Sequence, residues 1–296
     1  MATAWDGADA RQPAAEPDKS ARRRIWLCAD DYGISPSVNA AIRDLVLRGR
    51  VNATSVMVVT PSFTRSETLS LGILNAGDRR VAIGLHLTLT APFHPLTKEF
   101  APLVEGAFPP LKDIMRAAFL RKLGRAALEA EIHAQLAAFS AAFGRAPDFF
   151  DGHQHVHLLP QVREVVVAAV KELAPEAWVR QCVGAGPLFQ RLSDPKGLLV
   201  DWLSRGFRRR ARAVGVQTNP AFAGTYTYTA DADFAALFPR FLDSMPEGGL
   251  IMCHPGVVDA ELERVDPLTS LREQEYAYLK GEVFPRTLAE HGVALA

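Results

Sequence analysis

Four apolar runs in this chain lead directly into side chains that bind metals or move protons. "IWLCA" runs into the adjacent carboxylates Asp30 and Asp31, "VAIGL" into His86, "DFF" into Asp151, Gly152 and His153, and "LIMC" into His254. Carboxylates and imidazoles are donors that several divalent ions accept, and three protein ligands with one open position make a catalytic metal site. An imidazole also exchanges protons near neutral pH, which suits His254 at the turn formed by Pro255 and Gly256.

The spacing constrains which of these groups can meet. In "VAIGLHLTLT" strand alternation puts Ile83, Leu85, Leu87 and Leu89 on one face and Gly84, His86, Thr88 and Thr90 on the other. In "DGHQHVHLLP", His153, His155 and His157 share a face if the segment is extended, whereas only His153 and His157 share one if it is helical. Each feature also has a plainer account: a hydrogen-bonded interior histidine at 86, a surface cluster without metal at 153–157, a capping or core histidine at 254. The aspartate pair could cap the next helical pattern, but Ser35 and Ser37, flanking Pro36, are better placed for that role.

What positions these groups is an alternation of short β-rich runs and longer helical patterns. "RIWLCA", "TSVMVV", "RVAIGLHLTL", "DFFD", "AWVR", "NPAF" and "GLIMC" read as strands; 36–49, 62–76, 111–143, 160–173, 196–214, 232–243 and 269–291 read as helical. Such an order implies an α/β fold with a parallel sheet. The C-terminal ends of parallel strands lie at one face, so the four runs would deliver their polar residues into one cleft. The Pro-rich stretch 91–110 reads as a long loop, of the kind that is usually functional.

Composition narrows the partners. The chain has 296 residues, 48% of them hydrophobic, with no fixed repeat and no Gly/Ser linker, which points to one domain over 23–296. Residues 1–22 are polar and Ala/Pro-rich and read as a disordered tail without a signal peptide. Lys plus Arg equals Asp plus Glu at 33 each, so no overall field recruits nucleic acid. Cys28, Cys182 and Cys253 form no CxxC and read as thiols in a reducing compartment, and no apolar run spans a bilayer, so a cytoplasmic protein is expected.

Taken in order, "ADDYG", "GLHLTLT", "DGHQHVH" and "MCHPG" resemble the YdjC-like carbohydrate deacetylase family, over about residues 24 to 292. "SLREQEYAYL" is similar to that family's Arg-x-x-Glu segment at Arg272 and Glu275. The resemblance implies a distorted (β/α) barrel of TIM-like, deacetylase type, one divalent metal ion, Mg2+ or Zn2+, and hydrolysis of the N-acetyl group of an acetamido sugar. It places Asp31, His86 and His153 on the metal-ligand positions and Asp30 on the position of the base. His254 becomes the candidate acid; His155, His157, Asp151, Arg272 and Glu275 are candidates for orienting ligands or contacting substrate.

The sequence does not separate a soluble acetamido sugar from a lipid-linked one, and it leaves a homodimer open. In 198–214 a helix would align Leu199, Trp202, Leu203, Phe207, Ala211 and Val214 opposite Arg205, Arg208, Arg209 and Arg212. That face could touch an anionic membrane or simply cover the barrel. Two other classes could use the same residues: a metal phosphoesterase, and a sugar-binding protein without turnover.

Overall fold

In the computed structural model, which describes residues 22–75, 81–185, 195–229 and 231–296, the apolar runs form a parallel sheet. Its strands are β1 (Arg23–Tyr32), β2 (Ala53–Val56), β3 (Ala82–Leu87), β4 (Phe149–Gly152), β5 (Trp178–Val179), β6 (Phe222–Ala223) and β7 (Leu250–Cys253). Their spatial order is β5-β4-β3-β2-β1-β7-β6, and every neighbouring pair is parallel. A last strand, β8 (Val293–Leu295), pairs with the start of β1, Arg23 opposite Val293. Single bridges, Val179 to Thr218 and Gly184 to Phe222, join the two sheet edges. The result is a (β/α) barrel distorted on the side where β5 and β6 are two residues each.

Helices cover the outside of this sheet, because its strands are buried on both faces and cannot face water. β3 and β4, for instance, are buried along their whole length. The helices are α1 (Pro36–Leu47), α2 (Arg65–Leu74), α3 (Leu111–Phe119), α4 (Arg125–Phe143), α5 (Val162–Leu173), α6 (Pro195–Ala213), α7 (Phe234–Asp243), α8 (Ala260–Val265), α9 (Ser270–Lys280) and α10 (Val283–Glu290). Among the described residues no helix is long and apolar enough to cross a membrane.

Three expectations change. First, β1 does not end before the aspartates; it continues through them to Tyr32, with an irregularity in its register against β2 between Ala29 and Tyr32. Second, 269–291 is not one helix. Gly281 turns the backbone to an extended conformation (φ −73°, ψ 168°) after α9, and α10 restarts with Pro285 in its first turn, where a missing N–H costs nothing.

Third, the apolar face expected along 198–214 is divided. Leu203, Phe207 and Ala211 are buried in the barrel cover, whereas Leu199, Val214 and above all Trp202, 61% exposed, are not. Trp202 stacks on Phe119 of α3 instead. Three of the six residues of that face are therefore spent on the barrel. The tail expected over 1–22 lies outside the described residues except for Arg22.

Candidate active site

The aspartate pair owes its geometry to the irregularity in β1. Asp31 adopts φ 70°, a left-handed conformation rare outside glycine, so the strand's alternation is interrupted and both neighbouring carboxylates turn to the barrel's C-terminal face. Gly33 comes next but one at φ +105°, and a Cβ there would stand 2.7 Å from the Met57 carbonyl oxygen. Its N–H donates to Asn39 Oδ1 at 2.5 Å, and Ser35 caps α1 by accepting from the Val38 N–H. The capping work falls to the serine, and the aspartates take other partners.

Asp31 joins His86 and His153. One of its oxygens, Oδ1, lies 3.2 Å from His86 Nε2 and 3.0 Å from His153 Nδ1. One donor atom from each of the three residues falls within 4.8 Å of the others. His86 leaves β3 with its Nδ1 fixed by Asp151 at 2.7 Å and by the Ser55 hydroxyl at 2.9 Å, so Nε2 points toward Asp31. A carboxylate behind the far nitrogen of a ligating histidine is the arrangement that fixes tautomer and ring orientation. One carboxylate and two imidazoles, convergent and with the outer nitrogen of one already held, fit a single divalent ion.

Asp31's second oxygen is held by Arg272 Nη2 at 2.6 Å, and the same nitrogen reaches Asp266 at 2.5 Å. Asp30 is gripped differently: Arg180 Nη1 and Nη2 donate to its two oxygens, each at 2.6 Å. Arg180 Nη2 is also 2.6 Å from Asp151 Oδ2, an ion pair without hydrogen-bond alignment. Arg180 thus occupies the second cluster of metal-type donors among the described residues, Cys28, Asp30 and Asp151. A second cation already sits there, which weighs against a two-metal phosphoesterase.

These contacts set the charge states. Burial alone would raise both aspartates; the Arg180 guanidinium holds the Asp30 carboxyl below the usual carboxylate range, and Arg272 with His153 does the same for Asp31. Burial pulls the His86 imidazole down, but Asp151 more than reverses this and pushes it up to about 10. Burial, reinforced by Arg180, lowers His155 to about 3.

The three clustered histidines go to three places, because Gln154 and His155 are left-handed (φ 52° and 59°) within a 3-10 turn, His153–Leu158. Only His153 meets Asp31. His155 packs its ring edge-on to Phe222, with Nδ1 3.7 Å from the Cys182 sulfur. His157 is wholly buried and its Nε2 bonds the Arg180 carbonyl at 3.0 Å, so it helps position the residue that holds Asp30.

His254 emerges half-buried beyond β7, its backbone N–H donating to Glu275 at 2.5 Å while Tyr226 O–H donates to the other Glu275 oxygen at 2.6 Å. Its Nδ1 is buried without a hydrogen-bond partner among the described residues, and Tyr228 meets the ring edge-on. Arg180, Ser55, Phe93, Asp266 and Tyr226 were not singled out from the sequence. Arg180 carried a usable signal, since it directly follows the strand run "AWV" as the other site residues follow theirs.

A sequence profile for the family described as YdjC-like protein matches residues 24–290. A chitooligosaccharide deacetylase of Yersinia pestis is 31% identical over 280 residues, covering 90% of this chain and 94% of that protein. A carbohydrate deacetylase of Mus musculus is 28% identical over 261 residues, covering 79% and 78%. Among solved structures, an Enterococcus faecalis protein described as acting in cellobiose-phosphate cleavage superposes with a TM-score of 0.73 at 23% identity, over 93% of this chain and 97% of that one. A lactam utilization protein from Thermus thermophilus gives 0.50 at 15% identity, over 92% and 98%. At these identities the two structures speak for the fold.

Proposed function

The chain belongs to the YdjC-like protein family, and on that premise we propose that it removes the N-acetyl group from an acetamido sugar, using a divalent ion held by Asp31, His86 and His153. The observation that carries this reading is the convergence of those three donors beside a separate carboxylate, Asp30, that a buried arginine keeps ionised. The names of the relatives, carbohydrate deacetylase and chitooligosaccharide deacetylase, supply the substrate class.

A divalent ion in this site supplies Lewis acidity, which activates water near neutral pH and polarises an amide carbonyl. Two imidazoles suit Zn2+ better than Mg2+, which prefers oxygen. The chain's own groups do the rest. Asp30, not among the three ligands, accepts the proton of the attacking water at a carboxylate oxygen. Asp151 holds the His86 ring, and Arg272 holds the Asp31 oxygen that turns away from the histidines. His254, with its backbone fixed by Glu275, donates a proton to the nitrogen as the C–N bond breaks, so the amine leaves neutral.

The test is acetate release from N-acetylglucosamine oligomers and from an acetylglucosamine glycolipid, with and without chelator. Wild type should release acetate from at least one and lose that activity to chelator. Asp30→Asn should abolish release while metal analysis still finds one ion, and Asp31→Ala, His86→Ala or His153→Ala should lose the ion as well. Undiminished release by Asp30→Asn sinks the mechanism; phosphate-ester hydrolysis without acetate release would favour a phosphoesterase, and sugar binding without turnover a silent binding protein.

A further inference from the structure

Two buried polar side chains on one face of α4 have no place in the proposed reaction. Glu131 and Gln135, one helical turn apart, are both fully buried. Glu131 Oε2 accepts from the Thr97 N–H at 2.9 Å and the Thr97 hydroxyl at 2.8 Å, and its Oε1 accepts from the Leu96 N–H at 3.1 Å. Gln135 takes the other end of the same segment: its Oε1 accepts from the Thr88 N–H at 3.1 Å, and its Nε2 donates to the Thr88 carbonyl and to Glu131 Oε1, each at 2.8 Å. Burying a carboxylate and an amide in a helix face is costly unless their hydrogen bonds are met, and here the loop meets them.

The segment they hold, 88–97, leaves β3 just beyond His86 and carries Phe93. That ring is buried and meets the His153 ring edge-on at 6.0 Å. Phe93 also lines a groove of about 510 Å³ with Val58, Pro61, Leu96, Arg264 and Val265. We propose that Glu131 and Gln135 are positioning residues: by fixing both ends of 88–97 to consecutive turns of a rigid helix, they set Phe93 as the wall between His153 and this groove. The wall shapes substrate binding and stands apart from the reacting atoms. The kinetic part of this inference rests on the proposed deacetylase reading.

The experiment is a double-mutant cycle between Glu131→Gln and Phe93→Ala, read by acetate release and by hydrogen exchange. Glu131→Gln keeps the volume but sets an NH2 against loop donors; KM should rise about tenfold with kcat within about twofold, as expected when binding contacts shared by ground and transition states are lost. In the Phe93→Ala background the same substitution should add nothing further to KM, because its effect passes through that ring. A purely structural role would give a loss in both backgrounds. The amides of Phe93, His94, Leu96 and Thr97 should exchange faster in Glu131→Gln at a temperature where the fold is intact. Thr97→Val, which deletes one contact from the loop side, guards against a variant that does not fold and should move KM the same way by about threefold. Unchanged KM in both variants, or an additive loss on Phe93→Ala, overturns the proposal. If wild type releases no acetate, the reaction assignment fails on its own account and exchange alone decides: unaltered exchange at 93–97 overturns the clamp.

Discussion

Arg180 holds Asp30 by both carboxylate oxygens, at 2.6 Å each, where neither side chain meets solvent. Two parallel charge-assisted bonds fix the carboxylate plane as well as its charge. A base held this firmly is weak but ionised at neutral pH, and its oxygens do not have to search for the water proton.

Removing the guanidinium reverses the balance between burial, which raises the Asp30 pKa, and Arg180, which lowers it. In Arg180→Met the carboxyl stays buried without its cation, so its pKa rises. The acidic limb of kcat/KM against pH should therefore move to higher pH, and activity at pH 7 should fall by about a hundredfold or more. Arg180→Lys should recover part of the charge but not the paired geometry. A pH–rate profile of each variant decides; an acidic limb that does not move in Arg180→Met would show that Asp30 is not the titrating base.

Metal binding should release a proton. Without an ion, burial pulls His86 down but Asp151 pushes its imidazole up to about 10, so at pH 7 the ring is protonated. A ligating imidazole must lose that proton from Nε2, so affinity should strengthen as pH rises from about 6 toward 9, with roughly one proton released per ion. Calorimetry in buffers of different ionisation enthalpy measures both. Asp151→Asn removes the charge that raises His86, so the pH dependence should shift to lower pH while affinity falls about 10–100-fold through the lost orientation. A pH-independent affinity over that range would contradict the His86–Asp151 pairing.

Much of this site was legible because strand ends in a parallel sheet converge. Asp30, Asp31, His86, His153 and His254 could be grouped from nothing more than apolar runs and the polar residues at their C-terminal ends. Arg180 obeys the same rule, but it closes the run "AWVR", where it reads as the last residue of a strand and not as the group the strand delivers. The directions of His155 and His157 were hidden, since they depend on left-handed backbone at Gln154 and His155, which neither strand nor helix periodicity describes. Glu131 and Gln135 lie inside a long helical pattern, where polar residues ordinarily mean solvent; only the loop folded over them shows otherwise. The face of α6 failed as a guide because periodicity tells which residues align, not what covers them.

His254 should prove sensitive to Glu275, which bonds its backbone N–H and whose charge also acts on the imidazole. Glu275 accepts from the His254 N–H and from the Tyr226 hydroxyl, and burial raises its carboxyl above the ordinary range. Glu275→Ala frees the segment beyond β7, so proton delivery to the leaving nitrogen suffers while the metal ligands stay in place. kcat should fall about 10–100-fold with KM and metal content nearly unchanged. Steady-state kinetics with metal analysis tests this, and a loss of metal instead would assign Glu275 to the integrity of the site as a whole.

Gly33→Ala tests the irregular end of β1 through stability as well as activity. The added Cβ would stand 2.7 Å from the Met57 carbonyl oxygen and 3.1 Å from Thr60 Oγ1, at a backbone φ of +105° that L side chains rarely adopt. The backbone has little room to yield, because the Gly33 N–H donates to Asn39 at 2.5 Å and its carbonyl accepts from the Thr60 hydroxyl at 2.6 Å. Strain of this kind costs about 1–3 kcal/mol. For a domain of this size each kcal/mol lowers Tm by roughly 2–4 °C, so a drop of several degrees is expected in a thermal melt. Because Asp31 lies only two residues upstream, relief of the clash by backbone movement would also displace that carboxylate, and metal affinity should fall together with Tm. A variant that melts lower yet binds metal as wild type does would show that the turn supports the fold without setting the ligand.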